Sequence, residues 1–184
     1  MVLCPPIVET RPPLETPRLI LRQLAEADAP HVVRLFRGDW GAVRHTGRMP
    51  WPVEERPVRE WLRLHVGPHA HSFLVLRRHD RAVLGMAGFG GDGARAELGY
   101  GFGRRYWNRG YATEAVVALL GRARLVAVRM LEAYAFPENP ASARVLAKAG
   151  FEYRGLVERD YPARGGLRRV NYYRMQIRED GDGV

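Results

Sequence analysis

The sequence lacks the features that mark membrane, secreted and disordered proteins. Its one cysteine, Cys4, cannot close an intramolecular disulfide, which fits a reducing, cytoplasmic setting. No segment approaches the roughly 18–20 uninterrupted apolar residues of a membrane span. The proline-rich start has neither the basic residues nor the apolar core of a signal peptide. At 184 residues, 46% hydrophobic and 27% charged, the chain is typical of one soluble globular domain.

Lysine is also scarce, although the chain is strongly basic. Lys148 is the only lysine among 29 basic residues, and the net charge is +9 with a pI near 10.4. A basic chain favours anionic partners such as nucleic acid, a membrane surface or a phosphorylated cofactor. The arginines are dispersed, with no run of five or more like charges and no arginine–aromatic recognition motif. A nucleic-acid-binding protein therefore ranks last among the candidate functions, and no membrane partner is expected.

Prolines and apolar periodicity divide the chain into two short tails and one mixed α/β domain. We assign residues 1–14 to an extended N-terminal tail, 15–178 to the domain and 179–184 to a C-terminal tail. Residues 38–52 are predicted to form a loop, because they contain three glycines and two prolines.

Seven strands and four helices are predicted within the domain. Alternating or continuous apolar runs predict strands at residues 19–24, 72–78, 82–89, 95–103, 130–136, 151–159 and 170–177. Apolar residues at helical spacing predict helices at residues 28–36, 54–66, 109–125 and 139–149.

The most informative segment is the connection between the predicted strand at 95–103 and the predicted helix at 109–125. Gly110 in this connection allows the backbone to approach a ligand closely. The free N–H groups and the dipole of a helix start attract anions, so such a turn can bind a pyrophosphate. If only the glycines are considered, a tight turn that binds no ligand is the simpler interpretation of this segment.

A second segment, residues 139–151, reads as a capped helix. Asn139 is a candidate N-cap, Pro140 suits the first helical position, and Gly150 is a natural C-terminal stop. For Asn139, capping alone is a sufficient role.

Together these segments resemble the GNAT superfamily of N-acetyltransferases, which use acetyl-CoA. The family's pyrophosphate loop reads Gln/Arg-x-x-Gly-x-Gly/Ala, and residues 107–112 here read Trp-Asn-Arg-Gly-Tyr-Ala. Residues 139–151 are similar to the family's later helix and the strand after it. Residues 15–22, Glu-Thr-Pro-Arg-Leu-Ile-Leu-Arg, look like the opening of the RimJ/RimL-like branch. The resemblance covers residues 15–177.

The resemblance implies a mixed α/β (α+β) fold of GNAT type. Its central, mostly antiparallel sheet is splayed between the strands ending near Phe102 and Phe136 and flanked by about four helices. Acetyl-CoA, the acetyl donor, would lay its pantetheine arm in this gap, where a backbone N–H near Phe102 would face the thioester oxygen. The cofactor-binding residues that the resemblance implies are Phe102, Gly103, Asn108, Arg109, Gly110, Ala112, Thr113, Asn139 and Ser142.

Two positions depart from the family pattern. Trp107 stands where most relatives have Gln or Arg, although an aromatic residue there looks like the RimL-like branch. Leu146 occupies the position at which many relatives place a tyrosine general acid, so another group or water must protonate the leaving thiolate.

The catalytic candidates are Glu97 and Ser142. A base is needed because an ammonium has no lone pair, and Glu97 opens the strand where some relatives carry a catalytic carboxylate. It would accept the proton directly or through one water. The alternative for Glu97 is a structural role or a pair with a nearby arginine. Ser142 would line the far side of the thiol.

The implied activity is acetyl transfer from acetyl-CoA to a primary amine, by direct attack in a ternary complex. A protein N-terminal α-amine is one acceptor, and a small-molecule amine (an antibiotic, polyamine or amino acid) is the alternative. A non-catalytic acyl-CoA-binding module is a third hypothesis, because a fold does not fix a function. The expected setting is the cytoplasm, and sheet-edge homodimers are common in the resembled branch.

Two other patterns are set aside. Residues 88–93 match G-x-G-x-x-G, but a strand pattern follows where a dinucleotide fingerprint needs a helix. His65, His69 and His71 cluster in sequence, yet Gly67 and the proline after it break any helix that would align them, so no metal site is predicted.

Overall fold

A sheet with helices on both faces makes up the part of the chain that the computed structural model describes, residues 12–67, 70–91 and 93–177. Its strands are β1 (Leu14–Glu15), β2 (Leu19–Gln23), β3 (His71–Arg77), β4 (Val83–Gly90), β5 (Arg95–Phe102), β6 (Met130–Ala135), β7 (Glu152–Tyr161) and β8 (Gly166–Gln176). Its α-helices are α1 (Ala29–Phe36), α2 (Trp40–Val43), α3 (Glu55–Arg63), α4 (Tyr111–Leu125) and α5 (Pro140–Lys148). Within these described ranges the strand order is 1-2-3-4-5-6-8-7, and β5 and β6 are the only strands that pair in parallel.

The predicted mixed α/β fold is confirmed, with one helix more than expected. The extra helix, α2, lies inside the segment 38–52, so the prediction of an uninterrupted loop was wrong there. The Asp39 side chain accepts a hydrogen bond from the Ala42 N–H at 3.1 Å and caps this single turn. Four residues are too few for apolar periodicity to indicate a helix.

The ends of the chain differ slightly from the prediction. Leu14, assigned to the N-terminal tail, begins β1 and pairs with Leu21 of β2. The remaining predicted tails, residues 1–11 and 179–184, and Cys4 with them, lie outside the described residues. The closing strands are longer than predicted because only residues 162–165 separate β7 from β8, and Gly165 takes a left-handed φ of 86° in that turn.

Helices cover both faces of the sheet. On one face, α4 and α5 pack against the β5 side chains Ala96, Leu98 and Phe102. On the other, α1 and α3 pack against Leu74 and Met86 of β3 and β4. We call these the α4–α5 face and the α1–α3 face. Because side chains alternate along a strand, the odd-numbered residues of β5 point to the α1–α3 face.

A gap opens in the middle of the sheet, where β5 and β6 separate. Their parallel pairing runs from Arg95 opposite Met130 to Leu98 opposite Ala133. Beyond that pair β5 continues to Phe102 and β6 to Ala135, without further pairing between them. This confirms the predicted splay between the strands ending near Phe102 and Phe136.

Candidate active site

The edge of the gap formed by β5 presents backbone hydrogen-bonding groups. The Gly103 N–H donates to the Leu84 carbonyl of β4 at 3.0 Å, and the preceding residue, Phe102, lies opposite Gly85. In an antiparallel ladder, hydrogen-bonded and non-hydrogen-bonded pairs alternate, so the N–H of Phe102 points away from β4 and into the gap. The same alternation directs the backbone groups of Tyr100 into the gap.

Trp107 fixes the end of this edge. Its indole Nε1–H donates to the Phe102 carbonyl at 2.7 Å. The carbonyl is therefore occupied, and the Phe102 N–H is left as the backbone donor at this point. Trp107 thus has a local structural function at the position where most relatives have Gln or Arg.

The loop before α4 has the shape of an anion site. Asn108 and Gly110 both take left-handed backbone conformations, with φ of 58° and 77°. This is why α4 begins at Tyr111, two residues later than predicted, since a left-handed residue cannot continue a right-handed helix. The first N–H groups of α4, including those of Ala112 and Thr113, have no carbonyl partner within the helix and carry the positive end of its dipole.

Arg18 braces this loop from the turn between β1 and β2. Its Nη1 donates to the Arg109 carbonyl at 3.0 Å, its Nε donates to Glu114 at 2.6 Å, and its guanidinium lies 4.9 Å from the centre of the Tyr111 ring. A Cβ on Gly110 would lie only 3.3 Å from Arg18 Nη2. The loop is therefore packed closely against Arg18 where glycine is present.

Glu114 places a negative charge in the first turn of α4, and Thr16 and Arg18 compensate it. Burial raises the pKa of Glu114, but hydrogen bonds from Thr16 and Arg18 outweigh burial, and the net pKa is lowered. Thr16 Oγ1 donates to Oε1 at 2.6 Å, and the Arg18 backbone N–H donates to the same oxygen at 3.0 Å. Sequence reasoning did not assign these contacts, although both residues lie in the opening stretch 15–22.

Across the gap, the start of α5 is tied to β5. Asn139 caps α5, since its Oδ1 accepts from the Ser142 N–H at 3.1 Å. The Ser142 hydroxyl lies 2.8 Å from the hydroxyl of Tyr100, which also contacts the Ser142 carbonyl at 3.3 Å. Burial raises the pKa of Tyr100 well above its usual value, and the hydrogen bond with Ser142 offsets only part of this rise. The Tyr100 hydroxyl is therefore protonated at neutral pH.

Leu146, at the position of the tyrosine in many relatives, is completely buried in the core. A tyrosine hydroxyl is nevertheless present on this side of the gap, supplied by Tyr100 of β5. The sequence signal for Tyr100 was only its place in an alternating strand, which indicated packing and no chemical role.

Glu97 lies on the α1–α3 face with two arginines. Its Oε2 accepts from Arg48 Nη2 at 3.0 Å and from Arg159 Nη2 at 2.8 Å. The Arg159 guanidinium also lies over the Tyr134 ring, 3.9 Å from its centre. The alternative of a pair with a nearby arginine is thus realised, although the partners are 49 and 62 residues away in sequence.

The sheet beside Glu97 is almost free of side chains. Gly90 lies opposite Glu97 and Gly88 lies opposite Gly99 in the β4–β5 ladder. A Cβ built on Gly90 or Gly99 would meet no atom within 4 Å, so the space above both residues is open. These glycines leave an open groove on the α1–α3 face.

Residues 39–49, which we call the cover segment, lie over one side of this groove and are fixed at both ends. Asp39 pairs with Arg104 at 2.5 Å. At the other end, the buried Arg164 donates to the carbonyls of Val43 and Met49 at 2.9 and 2.8 Å.

One cavity of about 840 Å³ joins the groove to the gap. Of the predicted site residues, those that line it are Glu97, Phe102, Asn108, Gly110, Ala112, Thr113, Asn139 and Ser142. Gly103 and Arg109 are neighbours of lining residues without lining the cavity themselves. Arg48, Tyr100 and Tyr134 also line it, and sequence reasoning had not placed any of them there.

Two features are absent from the described residues. No helix within them is long and apolar enough to cross a membrane. No group of three or more His, Cys, Asp or Glu side chains among them could hold a metal ion.

Comparisons with known proteins agree with this geometry. A family model described as an acetyltransferase (GNAT) domain matches residues 18–152. An uncharacterized N-acetyltransferase, p20 of Bacillus licheniformis, is 30% identical over 175 residues, which is 90% of this chain and 97% of that protein.

Solved structures share the fold. A GNAT-family acetyltransferase from Bacillus anthracis matches with a TM-score of 0.76 and 23% identity, over 89% of this chain and 98% of that one. RimL, a ribosomal α-N-protein acetyltransferase solved in complex with coenzyme A, matches with a TM-score of 0.75 and 18% identity, over 90% of this chain and 98% of that one.

Proposed function

Because the chain belongs to the GNAT acetyltransferase family, and is therefore an acetyl-CoA-dependent N-acetyltransferase, we propose that its acceptor is a protein N-terminal α-amine. The observation that carries this proposal is the open groove above Gly90 and Gly99, beside Glu97. An extended peptide end can lie along a floor without side chains. The opening stretch 15–22 and the likeness to RimL support the same acceptor.

The residues around the gap fit the donor. The pantetheine arm would pair with the backbone groups of Tyr100 and Phe102, as an added strand pairs with a sheet edge. The Phe102 N–H would donate to the thioester oxygen, where negative charge develops in the transition state. The pyrophosphate would lie on the loop at Asn108 and Gly110 and at the start of α4.

Glu97 and Ser142 carry the proton transfers in this proposal. The amine nitrogen forms a bond to the acetyl carbon while the carbon–sulfur bond breaks, and the amine loses a proton that Glu97 accepts directly or through one water. The departing thiolate takes a proton from the Ser142 hydroxyl, which the Tyr100 hydroxyl holds in place at 2.8 Å. Solvent returns a proton to Ser142 and takes up the one that Glu97 accepted, so both residues return to their starting state. The product is an amide and free CoA.

A small-molecule amine is the second candidate acceptor. The cover segment favours it, because this segment closes one side of the groove through Arg48 and shortens the path that a polypeptide can follow. We also propose a cytoplasmic location, from the single Cys4, and a homodimer formed through a sheet edge stays a prediction.

The test measures release of free CoA thiol from acetyl-CoA with a panel of N-terminal peptides and small amines. We expect turnover with peptides whose α-amine is free and none with the same peptides blocked at that amine. Turnover only with small amines would refute the peptide acceptor and favour the second candidate.

A binding measurement separates an enzyme from a non-catalytic module. A ligand that binds only the folded state at 100 times its Kd stabilises that state by about 2.7 kcal/mol. Acetyl-CoA at this concentration should therefore raise the melting temperature by several degrees, and ATP much less. A shift without turnover on any amine would indicate an acyl-CoA-binding module.

A further inference from the structure

We propose that Arg48 binds a carboxylate on the acceptor, so that the preferred substrate is a primary amine with an acidic group close to it. This inference rests on the proposed function, because it concerns the acceptor of the same reaction. It adds the chemical class of group, beyond the amine itself, that the site recognises.

The first argument is the balance of charge around Glu97. The guanidinium groups of Arg48 and Arg159 converge on its single Oε2 atom, at 3.0 and 2.8 Å. One carboxylate neutralises one of these two cations. One positive charge is therefore left over at the groove, and it favours a negative charge on whatever enters.

The second argument concerns which of the two arginines is exposed enough to contact an acceptor. Arg159 is held between Glu97 and the face of the Tyr134 ring, and its side chain is 28% exposed. Arg48 is 54% exposed and lines the cavity. A guanidinium has five N–H donors in a planar fork that matches a carboxylate. The bond to Glu97 goes through Nη2, so the other donors of the fork take no part in that bond.

A second carboxylate near this group, Glu132, is bonded to tyrosine hydroxyls and not to the two arginines. Glu132 lies opposite Glu97 in the β5–β6 ladder, and on its other side it lies opposite Arg174 of β8. Its Oε1 accepts from the Tyr172 hydroxyl at 2.7 Å. Its Oε2 accepts from the Tyr134 hydroxyl at 3.4 Å, so tyrosine hydroxyls contact both of its oxygens, whereas Arg48 and Arg159 donate to Glu97.

The groove gives the third argument. The open positions at Gly90 and Gly99 adjoin Glu97, so an acceptor that lies there has both Glu97 and Arg48 within its reach. An amine directed to Glu97 and a carboxylate directed to Arg48 form two contacts of opposite charge. Two such contacts orient the acceptor, whereas the amine alone does not.

The test compares acceptors that differ in a carboxylate and a carboxamide only. One pair is the peptide Ser-Glu-Ala-Ala with its Gln counterpart, and the other is glutamic acid α-amide with glutamine α-amide. Within each pair the α-amine is flanked by the same groups, so its pKa is nearly constant. We expect kcat/KM to be roughly 10- to 100-fold higher for the carboxylate member, the usual range for a hydrogen bond to a charged group. The two pairs show whether the carboxylate comes from a peptide or a small molecule.

Variants then assign the preference to Arg48. Arg48→Gln should reduce the ratio of kcat/KM between the carboxylate and carboxamide members to about one, mainly through KM of the acidic acceptor. The loss of the Arg48–Glu97 hydrogen bond acts on both members alike, so the ratio, and not the rate of either member, is the readout. Arg48→Lys should keep part of the preference. The matched control is Arg169→Gln, an exposed arginine of β8 that lies opposite Glu158, far along the sheet from Glu97 in register. It should leave both pairs unchanged.

The outcomes separate this inference from the proposed function. Equal kcat/KM within both pairs, or an equal loss for both members in Arg48→Gln, would overturn the inference while leaving acetyl transfer intact. If no acceptor releases thiol, the proposed function fails. Calorimetric binding of the same pairs to the CoA-bound protein then decides the inference, which is wrong if the acidic members bind no more tightly.

Discussion

Arg18 offers the sharpest test of how the loop before α4 is held; we call residues 107–110 the donor loop, because the proposed pyrophosphate site lies there. It donates to the Arg109 carbonyl at 3.0 Å and to the Glu114 carboxylate at 2.6 Å, while its side chain is half exposed. Hydrogen bonds to charged groups contribute about 1.5–3 kcal/mol when shielded and less when exposed. We therefore assign about 1–2 kcal/mol to the two together.

Arg18→Ala should weaken acetyl-CoA binding for two reasons. The loop loses its brace at residue 109, and Glu114 loses the cation that balances it close to the expected pyrophosphate. A loss of about 1–2 kcal/mol corresponds to a rise in Kd of roughly 5- to 30-fold. The turnover number at saturating acetyl-CoA should stay within about twofold, because Arg18 has no contact with the groove at Glu97.

Arg78 provides a matched control for this experiment. Its side chain is 52% exposed, against 50% for Arg18, and it donates to the Thr16 carbonyl in the same segment. Arg78→Ala removes an equally exposed arginine without touching the donor loop. Calorimetry with CoA and steady-state kinetics measure both variants. If they show the same affinity for CoA, Arg18 is merely a surface residue and the reasoning is refuted.

Three further predictions concern the donor loop, the base and the fold. Gly110→Glu should abolish CoA binding measured by calorimetry, because a side chain at a φ of 77° is strained and its charge faces the pyrophosphate; affinity within a few-fold of the wild type would contradict this. Glu97→Gln should lower the turnover rate by about 10²–10⁴. The rate should recover at a pH where the acceptor is already neutral, which is near pH 8–9 for an α-amine and above about pH 10 for a lysine. Near-wild-type turnover at pH 7 would show that the carboxylate is structural. Burial raises the pKa of Asp28, but hydrogen bonds from Arg22 and the Ala25 N–H outweigh burial, and the net pKa is lowered. Ionised Asp28 therefore stabilises the fold fully above its unfolded pKa of ~4. This stabilisation is lost as the pH falls through the lower pKa of the folded state. Asp28→Asn should therefore cost about 2 kcal/mol in urea unfolding at pH 7, and the difference from wild type should shrink at low pH; a pH-independent difference would argue against the charge.

Local patterns predicted well the two helices on which the proposed donor site is built. The helix at α4 and the capped helix at α5 follow from apolar spacing, a glycine and an Asn-Pro start, all of which act over a few residues. The error at the start of α4 has a local cause as well, since the left-handed Asn108 and Gly110 delay the first helical residue to Tyr111. Spacing cannot reveal a left-handed residue that is not glycine.

The acceptor half could not be predicted in the same way. Arg48 comes from the cover segment and Arg159 from β7, and only the packed fold brings both to Glu97. Among 29 basic residues dispersed along the chain, nothing local distinguishes these two. Tyr100 was missed for a related reason, because alternation places it on a strand face without showing that Ser142 lies across from it.

The gap in the sheet has a consequence for the order in which substrates bind. In the proposed arrangement the donor lies along the gap from the loop before α4, whereas the acceptor lies in the groove on the α1–α3 face, at another part of the same cavity. If the two molecules occupy different parts of the cavity, neither has to leave before the other can bind. Initial rates measured against both substrates should therefore give intersecting double-reciprocal lines, and free CoA should compete with acetyl-CoA but not with the amine.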